Sequence, residues 1–206
     1  GIEVMAGSYL NEIRQVQPGG PYALAGWSMG GLIALEAARQ LAASGEQVAL
    51  LAMFDTSLPH SDDAERKVGN SPAMPWIARQ LNLPLAELAG LSLDRQWQRI
   101  AEQADLMEGG VAVGIRRLAA VCRAHLAALA AYQARPYEGR AVLFQAVGEE
   151  RSSDRRWQLI VPGLRVERVP GDHFTMLQPP HVGVLTERLG RYLAESVTVD
   201  AAARTP

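Results

Sequence analysis

The stretch Gly26-Trp27-Ser28-Met29-Gly30 has the form G-x-S-x-G, in which a serine stands between two glycines. An apolar run precedes it at residues 22–25, and residues 32–41 after it are rich in strong helix formers. This order predicts a strand, a sharp turn and a helix, which together lift the hydroxyl of Ser28 clear of a sheet. We expect a side chain at Gly26 or Gly30 to collide with its neighbours. The stretch is therefore a candidate nucleophile elbow, and a chance match of common residues is the alternative.

Composition narrows the class of protein. The chain has 206 residues, 20 of them basic and 22 acidic, and its net charge of −2 includes no basic block typical of nucleic-acid binding. No apolar run approaches the ~20 residues that span a bilayer, and the start shows no signal-peptide pattern. The single cysteine, Cys122, lies in an alanine-rich helical pattern that predicts a packed core thiol. We expect a cytoplasmic protein without nucleic-acid or membrane partners.

Hydrophobic periodicity predicts an α/β protein with parallel strands. Predicted strands lie at 22–26, 48–54, 141–147 and 164–169, and predicted helices at 2–17, from the elbow to about 43, at 115–134 and at 181–195. The order strand, helix, strand around the elbow implies a right-handed crossover. The first helix is expected to place six apolar residues on one side, which are Ile2, Met5, Tyr9, Leu10, Ile13 and Val16.

Residues 59–114 differ from the rest of the chain, with several prolines and short helical pieces at 75–82 and 94–108. Asp94 is a plausible N-cap of the second piece, and Gly109-Gly110 is expected to end it. Their many apolar residues argue against disorder, so we interpret the segment as a helical lid; completion of the core is the alternative. The predicted organisation is one domain over 1–206, with a core at 1–58 and 115–196, a lid at 59–114 and a frayed tail at 197–206.

A serine hydroxyl needs a neighbouring base to become a nucleophile, and histidine is the usual one. The candidates are His60, His125, His173 and His181. His60 is expected in solvent, His125 on a packed helix face, and His181 at a helix start. His173 follows a predicted strand on a loop near the end of the chain, where parallel sheets place their chemistry. His173 is therefore the predicted base.

An acid must orient that base. Asp55 directly follows the strand at 48–54, so its carboxylate is expected at the same sheet edge as Ser28. Glu149, Glu150 and Asp154 are competitors after the next strand, and a turn-capping role is the alternative for Asp55. Asp172 is expected to bond the backbone of its own loop.

Three motifs carry a family resemblance. Residues 22–31, 54–59 and 169–177, the last containing Gly171-Asp172-His173-Phe174, together resemble the thioesterase domain that ends a nonribosomal peptide synthetase. The resemblance covers most of residues 2–196. It implies an α/β-hydrolase fold, a mostly parallel sheet flanked by helices, with a mobile helical lid where residues 59–114 lie.

The resemblance also implies roles. Ser28 would be the nucleophile, His173 the general base and acid, Asp55 the orienting acid, and the Met29 backbone N–H an oxyanion donor, with Trp27, Trp76 and Trp97 as substrate or lid residues. The domain itself would bind no cofactor or metal. Its substrate would be a peptidyl chain on the phosphopantetheine of an upstream peptidyl carrier domain, released by hydrolysis or cyclisation.

The resemblance carries a departure as well. The family begins with further strands before the segment equivalent to residues 2–17, and a loop there supplies the second oxyanion amide. The chain is therefore expected to lack the first strands of the fold and to be inactive or weakly active alone, since one oxyanion donor contributes about 10²–10³ in kcat. The alternatives are a free-standing editing thioesterase, a carboxylesterase acting on small esters, and an inert interaction module.

Overall fold

The computed structural model describes residues 1–59, 73–147 and 155–203, without the side chains of 73–76 and 197–203. Its strands are β1 (Tyr22–Trp27), β2 (Val48–Phe54), β3 (Ala141–Ala146) and β4 (Arg165–Val169). Its helices are α1 (Ile2–Val16), α2 (Met29–Ala43), α3 (Ala73–Gln80), α4 (Leu93–Asp105), α5 (Gly110–Ala131), α6 (Arg156–Ile160) and α7 (Val182–Ala203). The chain packs as two compact units, a sheet unit of residues 2–58 and 133–206 and a helical unit of residues 59–132.

The described part of the sheet unit contains four strands in the order β1-β2-β3-β4, and every neighbouring pair is parallel. In the register, Trp27 at the end of β1 lies beside Phe54 at the end of β2, and Phe54 pairs in turn with Phe144 of β3. Because the strands are parallel, their carboxyl ends share one edge of the sheet. Ser28 and Asp55 directly follow two of these ends.

Helices cover the sheet because parallel strands are apolar on both faces. Helix α2 packs against β1 and β2 and also against α1, while α7 packs against β2. Side chains alternate along a strand, so every second residue of β2 and β3 points to the α7 side. That core contains Leu50, Ala52, Val142, Phe144, Ala146, Val169, Met176, Leu185 and Tyr192.

The helical unit has an apolar core of its own. Its buried residues come from α3, α4, α5 and the turns between them, and they are Ile77, Ala78, Leu81, Leu83, Leu88, Trp97, Ile100, Ala104, Ile115 and Ala119. The buried amide of Gln96 donates to the carbonyls of Leu88 and Leu91, which fixes the turn before α4. This packing places α5 in the helical unit, which ends at Tyr132, whereas the lid predicted from sequence ends at residue 114.

Several predicted helix ends also differ from the structure. Ser92, not Asp94, caps α4, since its side chain accepts from the N–H of Arg95. Gly109 has φ +106° and stands directly before α5, so the glycine pair begins a helix. Helix α7 continues to Ala203, where a frayed tail was expected, and the buried Ser196 donates to the carbonyl of Leu193.

Helix α1 is present as predicted, but its buried face is narrower. Ile2, Ala6 and Leu10 are buried at a spacing of four residues, whereas Tyr9 and Val16 are exposed. Small Ala6 allows close packing, which periodicity of large apolar residues alone does not indicate.

In the described part of the chain, no helix combines the length and apolar character needed to cross a membrane.

The sheet core gives a direct stability test. Leu51 in β2 is fully buried, whereas Leu159 in α6 is 74% exposed. We expect Leu51→Ala to lower the free energy of unfolding by about 2–5 kcal/mol, because it removes buried methyl groups and leaves a cavity. Leu159→Ala, the matched control, should change it by less than about 0.5 kcal/mol. Urea unfolding followed by circular dichroism measures both, and equal effects would contradict the packing described here.

Candidate active site

Ser28 sits on a strained turn between β1 and α2, with φ 55° and ψ −125°. A non-glycine residue adopts such angles only where the surroundings enforce them. Here the N–H of Ser28 donates to the carbonyl of Phe54 at 2.8 Å, and the hydroxyl of Thr56 donates to the carbonyl of Ser28 at 3.0 Å. Within the described residues, Ser28 Oγ makes no capping bond to α2. The turn is thus held by its main chain, and the hydroxyl stays available.

The crowding around the turn differs from the sequence prediction. A Cβ added at Gly26 would lie 2.0 Å from the carbonyl oxygen of Gly30, so the expected collision is confirmed there. At Gly30 a Cβ would meet no atom within 4 Å, so the same expectation is wrong. The second crowded position is Gly31, where a Cβ would lie 1.9 Å from Thr56 Oγ1.

Asp55 follows β2 and is 3% exposed. Its main chain has φ 44°, and its N–H donates to the carbonyl of Phe144 at 2.7 Å. One carboxylate oxygen accepts from the N–H of Ala146 at 3.1 Å, and the other lies 2.6 Å from Nδ1 of His173. A carboxylate accepts hydrogen bonds, so Nδ1 carries the proton and Nε2 is left as a free acceptor. Asp55 therefore selects the tautomer that a general base requires.

His173 stands on the loop after β4, where an Asp172 turn shapes the backbone. Asp172 Oδ1 accepts from the N–H groups of Phe174 at 2.9 Å and Thr175 at 2.8 Å. In return, Thr175 Oγ1 accepts from the N–H of Asp172 at 2.9 Å. The backbone N–H of Thr175 is the main cause that lowers the pKa of Asp172 below its ordinary value. The prediction that Asp172 bonds its own loop is confirmed.

Trp27, the residue before Ser28, packs against the base. Its indole N–H donates to the carbonyl of His173 at 2.9 Å, and the two ring centroids are 4.8 Å apart. Its ring also meets Phe174 edge-on at 5.8 Å. Sequence reasoning assigned Trp27 to the substrate and missed this contact; an aromatic residue directly before the nucleophile was the available signal.

Met29 is the first residue of α2, and its backbone N–H stands next to the nucleophile. The first N–H groups of a helix lack partners within the helix and carry partial positive charge. The resemblance assigns this N–H to an oxyanion, and the assignment stays a prediction.

The remaining predicted residues divide into three groups. Trp97 is buried in the core of the helical unit, so it packs there and is not exposed for substrate. His125 is half-buried on α5, and His181 stands just before α7. Trp76 belongs to α3, but its side chain falls outside the described residues, as do His60, Glu149, Glu150 and Asp154.

Two further predictions concern cysteine and metals. Cys122 is partly buried against the core of the helical unit, and this burial raises the pKa of its thiol. A packed, protonated thiol fits the structural role predicted for it. In ranges 1–59, 73–147 and 155–203, no cluster of three or more His, Cys, Asp or Glu residues could hold a metal ion.

A parallel sheet flanked by helices, with Ser28, Asp55 and His173 at the carboxyl ends of its strands, is the α/β-hydrolase arrangement. A thioesterase domain model matches residues 1–192, and the chain belongs to the thioesterase domain family. The fold class and the family predicted from sequence are thus confirmed.

The relatives are large synthetases. The chain is 30% identical over 220 residues to the nonribosomal peptide synthetase apvA of Aspergillus terreus, matching 94% of this chain and 23% of that protein. It is 29% identical over 181 residues to the enterobactin synthase component F of Escherichia coli K12, matching 86% of this chain and 13% of that protein. The chain therefore spans less than a quarter of the length of these curated relatives.

Solved structures similar to this chain also come from thioesterase domains and nonribosomal peptide synthetases. The NocB thioesterase domain, in covalent complex with a fluorophosphonate nocardicin G analog, is 27% identical with a TM-score of 0.62, covering 93% of this chain and 74% of that one. A four-domain nonribosomal peptide synthetase bound to AMP and glycine is 26% identical with a TM-score of 0.62, covering 100% of this chain and 16% of that one.

The glycine contacts generate a matched pair of variants. We expect Gly26→Ala to lower the free energy of unfolding by about 3 kcal/mol or more, because a backbone carbonyl occupies the space of the new methyl group. Gly30→Ala, which meets open space in the same turn, should change it by less than about 1 kcal/mol. Thermal unfolding of the two purified variants measures this, and a stable Gly26→Ala protein would show that the turn is not as close as described.

The Asp172 turn predicts a pH dependence. Because the folded chain lowers the pKa of Asp172, the carboxylate stabilises the fold above its unfolded pKa of about 3.9, and this stabilisation is lost as pH falls through the lower folded value. Asp172→Asn keeps an acceptor oxygen but not the charge. The stability advantage of the parent over Asp172→Asn should shrink as the pH falls below about 4. Denaturant unfolding at pH 3 to 7 tests this, and an advantage that grows toward acid would contradict it.

Proposed function

We propose that this domain releases an acyl or peptidyl chain from the phosphopantetheine thiol of a carrier domain through an ester on Ser28. The observation that carries the proposal is the 2.6 Å contact between Asp55 and His173 at the strand ends, with His173 packed on Trp27, the residue before the elbow serine. Membership of the thioesterase family and relatives named as synthetases support the substrate class. An ordered acid–base pair also favours an enzyme over an inert interaction module.

In the first half-reaction, Nε2 of His173 takes the proton of Ser28 Oγ as this oxygen attacks the thioester carbonyl carbon. The C–O bond forms, and the carbonyl electrons move onto oxygen. When the tetrahedral intermediate collapses, the C–S bond breaks and His173 returns the proton to the departing sulfur. The products are a free phosphopantetheine thiol and an acyl-serine ester.

Asp55 supports this proton transfer without becoming protonated. Its carboxylate holds Nδ1–H, so Nε2 faces the reaction as an acceptor, and it stabilises the imidazolium once Nε2 is protonated. The second bond, from Ala146 N–H, fixes the carboxylate plane. Because Asp55 is buried, water screens this interaction only weakly.

The oxyanion of the intermediate is assigned to the N–H of Met29 at the start of α2.

In the second half-reaction, water or a nucleophile of the bound chain attacks the ester, again with His173 as base. Hydrolysis and cyclisation differ only in that nucleophile. All these steps use side chains and main-chain groups of the domain, and phosphopantetheine enters as part of the substrate. The lid role of residues 59–114 remains a prediction.

Labelling with a small alkyl fluorophosphonate tests the assignment, because this probe reacts with activated serines. We expect the wild-type chain to gain the mass of one phosphonyl group, mapped to Ser28 by peptide mass spectrometry. Ser28→Ala should gain none, and His173→Ala should react at least about 10²-fold more slowly. Ser8→Ala, a change at an exposed serine of α1, is the matched control and should react like the wild type. Equal labelling of Ser28→Ala would remove the basis of the proposal.

A further inference from the structure

The imidazole ring of His173 is in contact with two side chains, Asp55 at one edge and Trp27 on one face. Asp55 contacts the Nδ1 edge of the His173 ring, whereas Trp27 contacts its face, with centroids 4.8 Å apart and planes inclined by 30°. Trp27 also anchors the main chain of the same residue through its indole N–H. The His173 side chain is 17% exposed, so these neighbours account for much of its enclosure.

A single hydrogen bond at Nδ1 leaves the imidazole free to tilt about the contact. Such tilting would move Nε2, the atom that takes the proton, because it lies on the far side of the ring. An aromatic face packed on the ring restricts this motion. Phe174 adds to the restriction, since its ring stands nearly perpendicular to His173 at 5.1 Å.

The position of Trp27 in the chain links the base to the nucleophile. Trp27 and Ser28 are consecutive, and the turn at Ser28 is fixed by bonds to Phe54 and Thr56. The backbone that presents the hydroxyl therefore also presents the surface on which the base rests. One peptide unit couples the two groups, although 146 residues separate Trp27 from His173 in the sequence.

We propose that Trp27 is a positioning residue that aligns His173 with Ser28. This inference rests on the proposed function, because it takes His173 as the base. The indole face also suits the charged intermediate state, since an imidazolium over a tryptophan ring gains a cation–π contact that a neutral ring lacks. Trp27 thus acts through His173 on the rate of proton transfer and not on the binding of substrate.

Two substitutions of Trp27 separate its hydrogen bond to the His173 carbonyl from its ring contact with the imidazole. Trp27→Phe keeps an aromatic face and removes the N–H donor, whereas Trp27→Leu removes both. We expect the fluorophosphonate labelling rate and kcat for an acyl thioester to fall about fivefold in Trp27→Phe, the effect of one neutral hydrogen bond. In Trp27→Leu they should fall about 50-fold, because the ring contact is lost as well. KM should stay unchanged in both.

Trp157 supplies the matched controls. It is 4% exposed in α6 of the same unit, so Trp157→Phe and Trp157→Leu make the same changes at a structural tryptophan. We expect neither to slow labelling at a temperature where the protein stays folded. If Trp157→Leu slows labelling as much as Trp27→Leu, the effect is general loss of packing and the inference fails. It also fails if Trp27→Leu raises KM and leaves labelling unchanged, since Trp27 would then serve the substrate.

A double-mutant cycle tests whether Trp27 acts through His173. In a His173→Ala background, adding Trp27→Leu should not lower the residual thioester turnover further. A further 50-fold loss would overturn the inference.

A measurement independent of activity separates this inference from the proposed function. The Cε1–H proton of His173 should change its NMR shift in Trp27→Leu, because the ring current of the indole is lost, and should not change in Trp157→Leu. An unchanged shift in Trp27→Leu would overturn the positioning role. A wild-type chain that resists labelling at Ser28, yet shows the shift, would contradict the proposed function and leave the contact standing.

Discussion

The carboxylate of Asp55 is the interaction on which the site depends. It is almost fully buried, and both its oxygens accept hydrogen bonds, one from Ala146 at the end of β3 and one from His173. A buried charge is tolerable only with such partners. The position of Asp55 follows from the pairing of β2 with β3, which brings its N–H to the carbonyl of Phe144. The alignment of the base is therefore set by the same parallel register that builds the sheet.

The elbow adds a second constraint of a different kind. The turn at Ser28 is held by a hydrogen bond that its N–H donates to Phe54 and by one that it accepts from Thr56, and both partners follow a crossover helix. The glycine at 26 permits close approach of the returning backbone, and the glycine at 31 permits approach of Thr56. Local strain at the nucleophile is thus supported by contacts that are distant in sequence, as is common for functional sites.

Much of this arrangement is predictable from sequence. The strand ends and the G-x-S-x-G pattern are local signals, and the order of Ser28, Asp55 and His173 is read directly along the chain. The misses share a physical cause. The crowding at Gly31 depends on Thr56, and the contact of Trp27 depends on His173, so both rest on partners distant in the sequence. The aromatic residue before the nucleophile was a signal for the second contact, but it does not name the partner. The packing of α5 against α4 is likewise a tertiary contact, which the periodicity of α5 alone does not report.

The closed core of the helical unit has an evolutionary consequence. Its stability comes from contacts among α3, α4 and α5, while residues on its outer surfaces, among them Val111, Leu118 and Val121, remain exposed. Mutations at such exposed positions perturb folding little. Lineages can therefore vary these positions while the helical core stays intact.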